Sequence, residues 1–372
     1  MPAIAHRKEN VMQRHLDTVK TLIVRCPNWV GDIVMATPTF DCLRESFPAT
    51  KIVGLLRKKA HGIVWDGPWF DALIDCQDKS WAGIWQTAKQ IRQYAGDVGI
   101  VLPNSIRSAM TVWLGGAKEI YGYRRSFRGF FLCGGPEPVR NNHGIQPLPM
   151  TEYYLEICRW LGLKTAKQVK PRLFVGEEVL RRGESLIRKY GIREEDIVIG
   201  LNPGASFGNS KCWPAENFAE LAELCESQLG ARILLFCGPG EEGIAQAIIG
   251  QSHAKIIDTT QDRIDLELLK PLVRRCNLLI TNDTGPRHYA VAFDVPVVVI
   301  IGPTDPRYTN SNLDHTIVLR KELPCSPCHK KVCPSRHECM TRITPGEVFS
   351  AAKKLLKECK QYGALRISQE MA

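Results

Sequence analysis

Asp32 follows Gly31 in the stretch RCPNWVGD, directly after the apolar run Thr21–Val24. A carboxylate there can act as a general base if a hydroxyl comes within reach. It can also be no more than a helix cap. Three later stretches have the residue types that hold ligands, the first two of them anions. NPGASFGNSKCWP (202–214) supplies Gly204 and Gly208 for close backbone approach, Ser206 and Ser210 as donors, and Lys211 just ahead of a helix. NDTGPRH (282–288) sets Asp283 and Thr284 at the end of an apolar run. Gly285 and Pro286 then open a helix whose amides suit an anion, with His288 in its first turn; Asp283 or Thr284 could equally be a plain N-cap. GPGEE (238–242) places Glu241 and Glu242 where an acid can accept bonds from a ribose diol. The same pair could simply answer a helix dipole.

Two further clusters stand out. Residues 104–128 carry Arg107, Lys118, Arg124, Arg125 and Arg128 among Trp113, Tyr121, Tyr123 and Phe127. Guanidinium groups bind phosphate and carboxylate in pairs of hydrogen bonds, although a basic segment is also an ordinary solvated face. Cys325, Cys328, Cys333 and Cys339 have spacings compatible with a structural zinc site, with His329 and His337 between them. Reduced thiols or a redox-sensitive disulfide suit the same spacing.

These residues need elements to hold them. Strand and helix patterns alternate along the chain: strands at TLIVRC, KIVGLL, DALIDC and GIVLPN, then DIVIGLNPG, ARILLFCGPG, KIIDTT, NLLITNDTGP and VPVVVIIGPTDP. Helices are expected near 37–46, at WAGIWQTAKQIRQY, EYYLEICRWLGL, AENFAELAELCESQLG, GIAQAIIGQ and PRHYAVAF, and at IDLELLKPLVRRC with Pro271 costing it regularity. Residues 107–150 read as a short helix plus loops. The order predicts an α/β fold with parallel sheets covered on both faces, whose ligands bind beyond the carboxyl ends of the strands. Asn202–Asn209, Gly238–Glu242, Asn282–His288 and Gly302–Pro306 are such loops in the second half; Pro27–Asp32 and Asn104–Arg107 are those of the first. The chain has 372 residues, 44% hydrophobic and 24% charged, which suits two domains at roughly 150 residues each. The expected division is a flexible arm at 1–18, one domain at 19–172, a second at 173–345 and a helix and tail at 346–372.

A net charge of +10 favours acidic partners. No secretory signal and no run of about 18 apolar residues is present, so a cytoplasmic protein is expected.

Together the segments RCPNWVGDIVMATPTFDCLRESFP, LPNSIRSA, NPGASFGNSKCWPAENFAELA, TNDTGPRHYAVAFDVPVVVIIGPTDP and PCSPCHKKVCPSRHECM resemble the bacterial lipopolysaccharide heptosyltransferases, glycosyltransferase family 9, over about residues 22–345. The resemblance implies a GT-B fold, two Rossmann-like doubly wound domains facing each other across a cleft. The acceptor would lie on the N-terminal side and the ADP-heptose donor on the C-terminal side. By position, the family's catalytic acid falls on Asp32 and its diphosphate-binding lysine on Lys211. Its strand-end motif falls on Asp283, Thr284 and Gly285, and its ribose-contacting acid near Glu241, with Ser206 and His288 completing the donor side. Arg287 departs from the smaller residues common in the family. Asn104, Arg107, Arg124, Arg125 and Arg128 would meet a phosphorylated Kdo–lipid A or heptose acceptor, with peripheral contact at the cytoplasmic face of the inner membrane. Transfer with inversion and no cofactor is implied, and no metal-binding DxD pair sits at a strand end. Another GT-B nucleotide-sugar enzyme, including an epimerase, is the nearest alternative. A zinc-containing nucleic-acid-binding protein is a further one, although it leaves the strand-end loops unexplained; no nucleic-acid partner is expected.

Overall fold

The computed structural model of the chain describes residues 18–142, 144–166 and 169–370, the last helix by its backbone alone beyond residue 359. The arm expected at 1–18 lies, but for Thr18, outside the described residues. The chain divides into two units: one runs through Phe174 and includes residues 307–309, and the other takes Val175–Pro306 and everything from Asn310.

The first unit is built on five short strands, β1 (Thr21–Arg25), β2 (Lys51–Leu56), β3 (Ala72–Asp75), β4 (Val98–Val101) and β5 (Glu119–Tyr121). They form one sheet in the order β3-β2-β1-β4-β5, with every pairing parallel. β1 and β4 are buried along their whole length, as expected where helices cover both faces. The crossovers are α1 (Val30–Met35), α2 (Thr37–Ser46), the single turn α3 (His61–Val64), α4 (Trp81–Arg92) and α5 (Ile106–Leu114). Ser80 and Ser105 start α4 and α5, each accepting a hydrogen bond from the amide three residues on. A Cβ at Gly99 would lie 2.6 Å from Val112, so the glycine lets α5 settle directly on β4. A small hairpin, β6 (Arg140–Asn141) and β7 (Gly144–Ile145), precedes α6 (Met150–Trp160).

The second unit opens with α7 (Glu177–Lys189) and continues β8 (Val198–Asn202), α8 (Ala215–Leu229), β9 (Arg232–Leu235), α9 (Glu242–Gln251), β10 (Ile256–Asp258), α10 (Leu269–Arg275), β11 (Leu278–Asn282), α11 (Gly285–Ala292), β12 (Val297–Ile300) and β13 (Thr316–Leu319). The sheet order is β10-β9-β8-β11-β12-β13, again all parallel. α8 stops at Gly230, which adopts the left-handed conformation at φ 61° that glycine accepts without a steric cost. One face of the sheet packs Leu201, Leu235 and Ile280 against Phe218 and Leu221 of α8. Met340 of α12 (Glu338–Thr341) and Val348 of α13 (Pro345–Glu370) close the same core. Among the described residues no helix is long and apolar enough to cross a membrane.

Three details differ from expectation. The segment after β1 is already helical at Val30, so Asp32 lies inside a helix rather than at a loop tip. α10 begins only at Leu269, which puts Pro271 in its first turn, where a missing N–H disrupts nothing. β5, β6, β7, β13, the single turns α3 and α12 and the thirteen-residue α7 were not expected. In both units the first strand in sequence is central and the winding reverses beside it, between β1 and β4 and between β8 and β11. Loops leaving those pairs flank the crevice where doubly wound sheets take ligands.

Candidate active site

In the first unit, the crevice is bordered by the segment after β1 and the loop after β4. Trp29 is the N-cap of α1 and makes no side-chain capping bond; Asp32 occupies the first helical turn. It is half-buried and is not the cap. Its carboxylate lies close enough to the fully buried Tyr154 of α6 that it adds to burial in pushing that phenol well above its ordinary pKa.

Underneath is a group that the sequence did not single out. Arg25 ends β1 with no exposure. Its Nη2 donates to Asp78 Oδ2 at 2.7 Å and to Asn28 Oδ1 at 2.6 Å, and Nη1 donates to the Cys26 carbonyl. Ser108 Oγ also donates to Asp78 Oδ2, at 3.0 Å. Burial works against the Asp78 carboxylate, yet Arg25 and Ser108 hold it below its usual range. One ion pair thus joins the ends of β1 and β3 to the start of α5. The available signal was a charged residue closing an otherwise apolar strand.

Asn104 Oδ1 accepts from Tyr153 Oη at 2.9 Å, and the Tyr153 ring stacks on Tyr123 at 3.8 Å. Arg107 is exposed and donates to the Lys79 carbonyl at 2.9 Å. Arg124 is exposed, 3.7 Å from Glu137, and Arg125 is half-buried. Arg128 departs from the expected surface role. It is fully buried, with Nε donating to the Tyr123 carbonyl at 2.9 Å and Nη1 to that of Pro103. Burial pushes its pKa down to about 10. It frames the loop instead of presenting charge.

The second unit gathers the donor-side candidates at β8 and β11. Lys211 Nζ donates to the Asp283 carbonyl at 2.8 Å and to its Oδ2 at 2.9 Å. Arg287 Nη1 donates to Asp283 Oδ1 at 3.0 Å, and Thr304 Oγ1 to Oδ2 at 2.8 Å. Burial alone would raise the Asp283 pKa; Lys211, Arg287 and Thr304 hold it far below the carboxylate range. His288 is pushed down to about 3, first by burial and then by Arg287, so it is neutral. It sits behind the site, not on its surface. Thr284 is the N-cap of α11 and its side chain makes no capping bond; Pro286, in the first turn, has no N–H to cap. Asn202 Nδ2 donates to Thr284 Oγ1 at 3.1 Å, and Asn282 Nδ2 to the Pro203 carbonyl at 2.5 Å. These two strand-end asparagines tie the loops of β8 and β11 together. Ser206 is exposed on the β8 loop.

Glu241 and Glu242 separate clearly. Glu241 Oε2 accepts the Gly238 N–H at 2.7 Å. A Cβ at Gly204 would lie 1.9 Å from the same oxygen, so the Glu241 carboxylate rests on the anion loop itself. Glu242 is exposed and accepts the Gly240 N–H at 3.1 Å.

Cys325, Cys328, Cys333 and Cys339 line one cavity of about 70 Å³ with Ser210 and His337. All are free thiols, and among the described residues no group of three or more Cys, His, Asp or Glu side chains is arranged to hold a metal ion. His337, within the expected zinc cluster, instead makes a 2.6 Å hydrogen bond with the Ser210 carbonyl. Ser210 Oγ donates to the Lys330 carbonyl at 2.5 Å. In this geometry the cysteine segment braces the loop that carries Lys211.

A family model described as glycosyltransferase family 9 (heptosyltransferase) matches residues 84–338. Over 345 residues the chain is 26% identical to lipooligosaccharide heptosyltransferase 2 of Campylobacter jejuni, covering 90% of this chain and 98% of that protein. The crystal structure of a family 9 glycosyltransferase from Veillonella parvula superposes with a TM-score of 0.78 at 26% identity, over 91% of this chain and 97% of that one. ADP-heptose LPS heptosyltransferase II of E. coli has a TM-score of 0.76 at 23% identity, over 91% and 99%, a likeness of fold.

Proposed function

The chain belongs to glycosyltransferase family 9, the heptosyltransferases, and from that premise we propose that it transfers heptose from ADP-L-glycero-D-manno-heptose to the heptose/Kdo inner core of lipopolysaccharide, with inversion. The observation that carries this is the anion cradle of the second unit, in which Lys211 is held at Asp283 beside the start of α11, whose N-cap side chain makes no capping bond. Such a cradle suits a pyrophosphate. Ser206, Lys211, Thr284 and Gly285 meet the diphosphate, and Glu241 meets the ribose. Asp283, with Arg287 and His288 behind it, positions Lys211. Asn104, Arg107, Arg124 and Arg125 take the acceptor. That acceptor is anchored in lipid, which puts the protein at the cytoplasmic face of the inner membrane.

In the reaction Asp32 takes the proton of an acceptor hydroxyl. The freed electron pair forms a bond to the anomeric carbon from the face opposite the diphosphate. The bond from that carbon to the phosphate oxygen breaks, and ADP departs with an added negative charge. Lys211 and the amides near Ser206, Thr284 and Gly285 stabilise that charge electrostatically, a task that other transferases give to a divalent cation. Turnover in excess EDTA is expected to match turnover without it.

The deciding experiment is incubation with ADP-heptose and truncated lipopolysaccharides, followed by mass analysis. Wild type adds one heptose. Asp32→Asn is expected to lose about 10²–10⁴-fold in kcat while its Kd for ADP stays unchanged. Full turnover by Asp32→Asn would remove the base from this mechanism.

A further inference from the structure

We infer that the outer face formed by α5 and residues 124–131 docks onto an anionic lipid bilayer. α5 buries Ser108, Ala109, Thr111 and Val112. It turns the exposed Ile106 and Trp113 and the half-buried Met110 outward, an apolar stripe at i, i+4 and i+7 that no other helix among the described residues covers. The stripe continues beyond the helix. Trp113 packs edge-on against Phe131 at 5.6 Å, and Phe131 against Phe130 at 5.4 Å. Phe130 is 86% exposed and Phe127 is 98% exposed.

The tip is held in that form against its own backbone preference. Ser126 and Phe127 both have φ of 57°, a left-handed conformation that is strained for a non-glycine residue. The adjacent Arg128 supplies the restraint, through its buried bonds to the carbonyls of Tyr123 and Pro103. A buried cation therefore fixes a turn that delivers two phenyl rings to solvent.

Charge selects the occupant. Residues 103–133 carry Arg107, Lys118, Arg124 and Arg125, besides the buried Arg128, against Glu119 as the single acid. Aromatic rings bordered by arginines suit the headgroup layer of a membrane. The rings enter the acyl boundary, and each cation near an anionic surface adds to the attraction. Lys118 and Arg124 have acids beside them, Asp97 and Glu137; an apolar protein partner would still leave the positive excess of this face unanswered. The commitment to a bilayer also rests on the transferase reading, whose acceptor is anchored in lipid.

The test is co-sedimentation of the full chain with vesicles of phosphatidylcholine mixed with phosphatidylglycerol, and with vesicles of phosphatidylcholine alone. Wild type is expected to bind the anionic vesicles and to release them in high salt. Phe127→Ser combined with Phe130→Ser is expected to weaken that binding roughly tenfold or more, with an unchanged Tm and unchanged turnover on a soluble, lipid-free acceptor. Equal binding by wild type and the double variant overturns the inference. So does absence of binding by wild type, or a self-association in wild type that the double variant loses, which would assign the face to a second copy of the chain. The vesicles contain no sugar acceptor, so the two readings fail separately. Turnover without vesicle binding sinks the docking face alone; vesicle binding without turnover sinks the transferase assignment alone.

Discussion

Asp283 carries two cations on one carboxylate, Lys211 on one oxygen and Arg287 on the other. The ammonium is thereby aimed before any ligand arrives, so less ordering is needed on binding. Lys211→Met is expected to raise the Kd for ADP by roughly tenfold or more and to change that for AMP far less, measured by calorimetry. Asp283→Asn removes the anion from between the buried Arg287 and the half-buried Lys211, so a stability loss of about 3–5 kcal/mol in denaturant unfolding is expected along with the lost ADP affinity. His288 gives a pH signature. Its folded pKa is depressed to about 3, whereas an unfolded histidine titrates near 6.5. Below about pH 6.5 the unfolded chain gains a proton that the folded chain refuses, so stability falls as pH drops from about 6.5 toward 3. His288→Gln is expected to flatten that part of the stability–pH curve; an unchanged slope would show that His288 is not the group responsible. At this scale the sequence was informative where chemistry is local. The Lys211, Asp283 and Thr284 types all converge on one crevice. It was silent where burial decides: nothing in RRSFR tells Arg124, which is exposed, from Arg128, which is buried.

Among the elements, the long apolar strands and capped helices were legible from period and punctuation. α2 occupies the expected 37–46, and α8 ends at the glycine that predicted its stop. What escaped was of two kinds: the edge strands β5 and β13, of three and four residues, and α7, thirteen residues long, which buries only Val179 and Gly183. α1 escaped because Pro27 and Gly31 read as loop chemistry, although Pro27 lies before the helix and Gly31 sits inside its first turn. The Arg25–Asp78 pair escaped because its partners are 53 residues apart. Its weight can be measured. Asp78→Ala leaves a guanidinium buried without its counter-charge and is expected to cost about 3–5 kcal/mol in urea unfolding. Arg25→Met combined with Asp78→Leu, which removes both charges, is expected to recover much of that loss. A double variant as unstable as Asp78→Ala would show that the pair's hydrogen bonds to Asn28 and Ser108 matter more than the charges.

For the whole molecule, the alternation of elements predicted two doubly wound units, and both appear with the same winding, a central first strand and a reversal beside it. The donor chemistry proposed above belongs to one unit alone. Scanning calorimetry is therefore expected to resolve two transitions, with ADP raising only one of them. At a ligand concentration about a hundredfold above Kd the gain is about 2.7 kcal/mol. ADP shifting both transitions equally would contradict that division of labour. DNA is expected to shift neither.

The strand order also bears on how the chain is made. β1 is the midline of its sheet, yet it leaves the ribosome first, and one of its two neighbours, β4, begins only at Val98. At 5–20 residues per second that neighbour follows roughly 4–15 s later. The second unit repeats the delay, with β8 starting at Val198 and β11 at Leu278. During each interval a hydrophobic strand has one edge unpaired, which is the form of nascent chain that chaperones bind. Synthesis rate and chaperone supply, more than final stability, should therefore govern the yield of native protein.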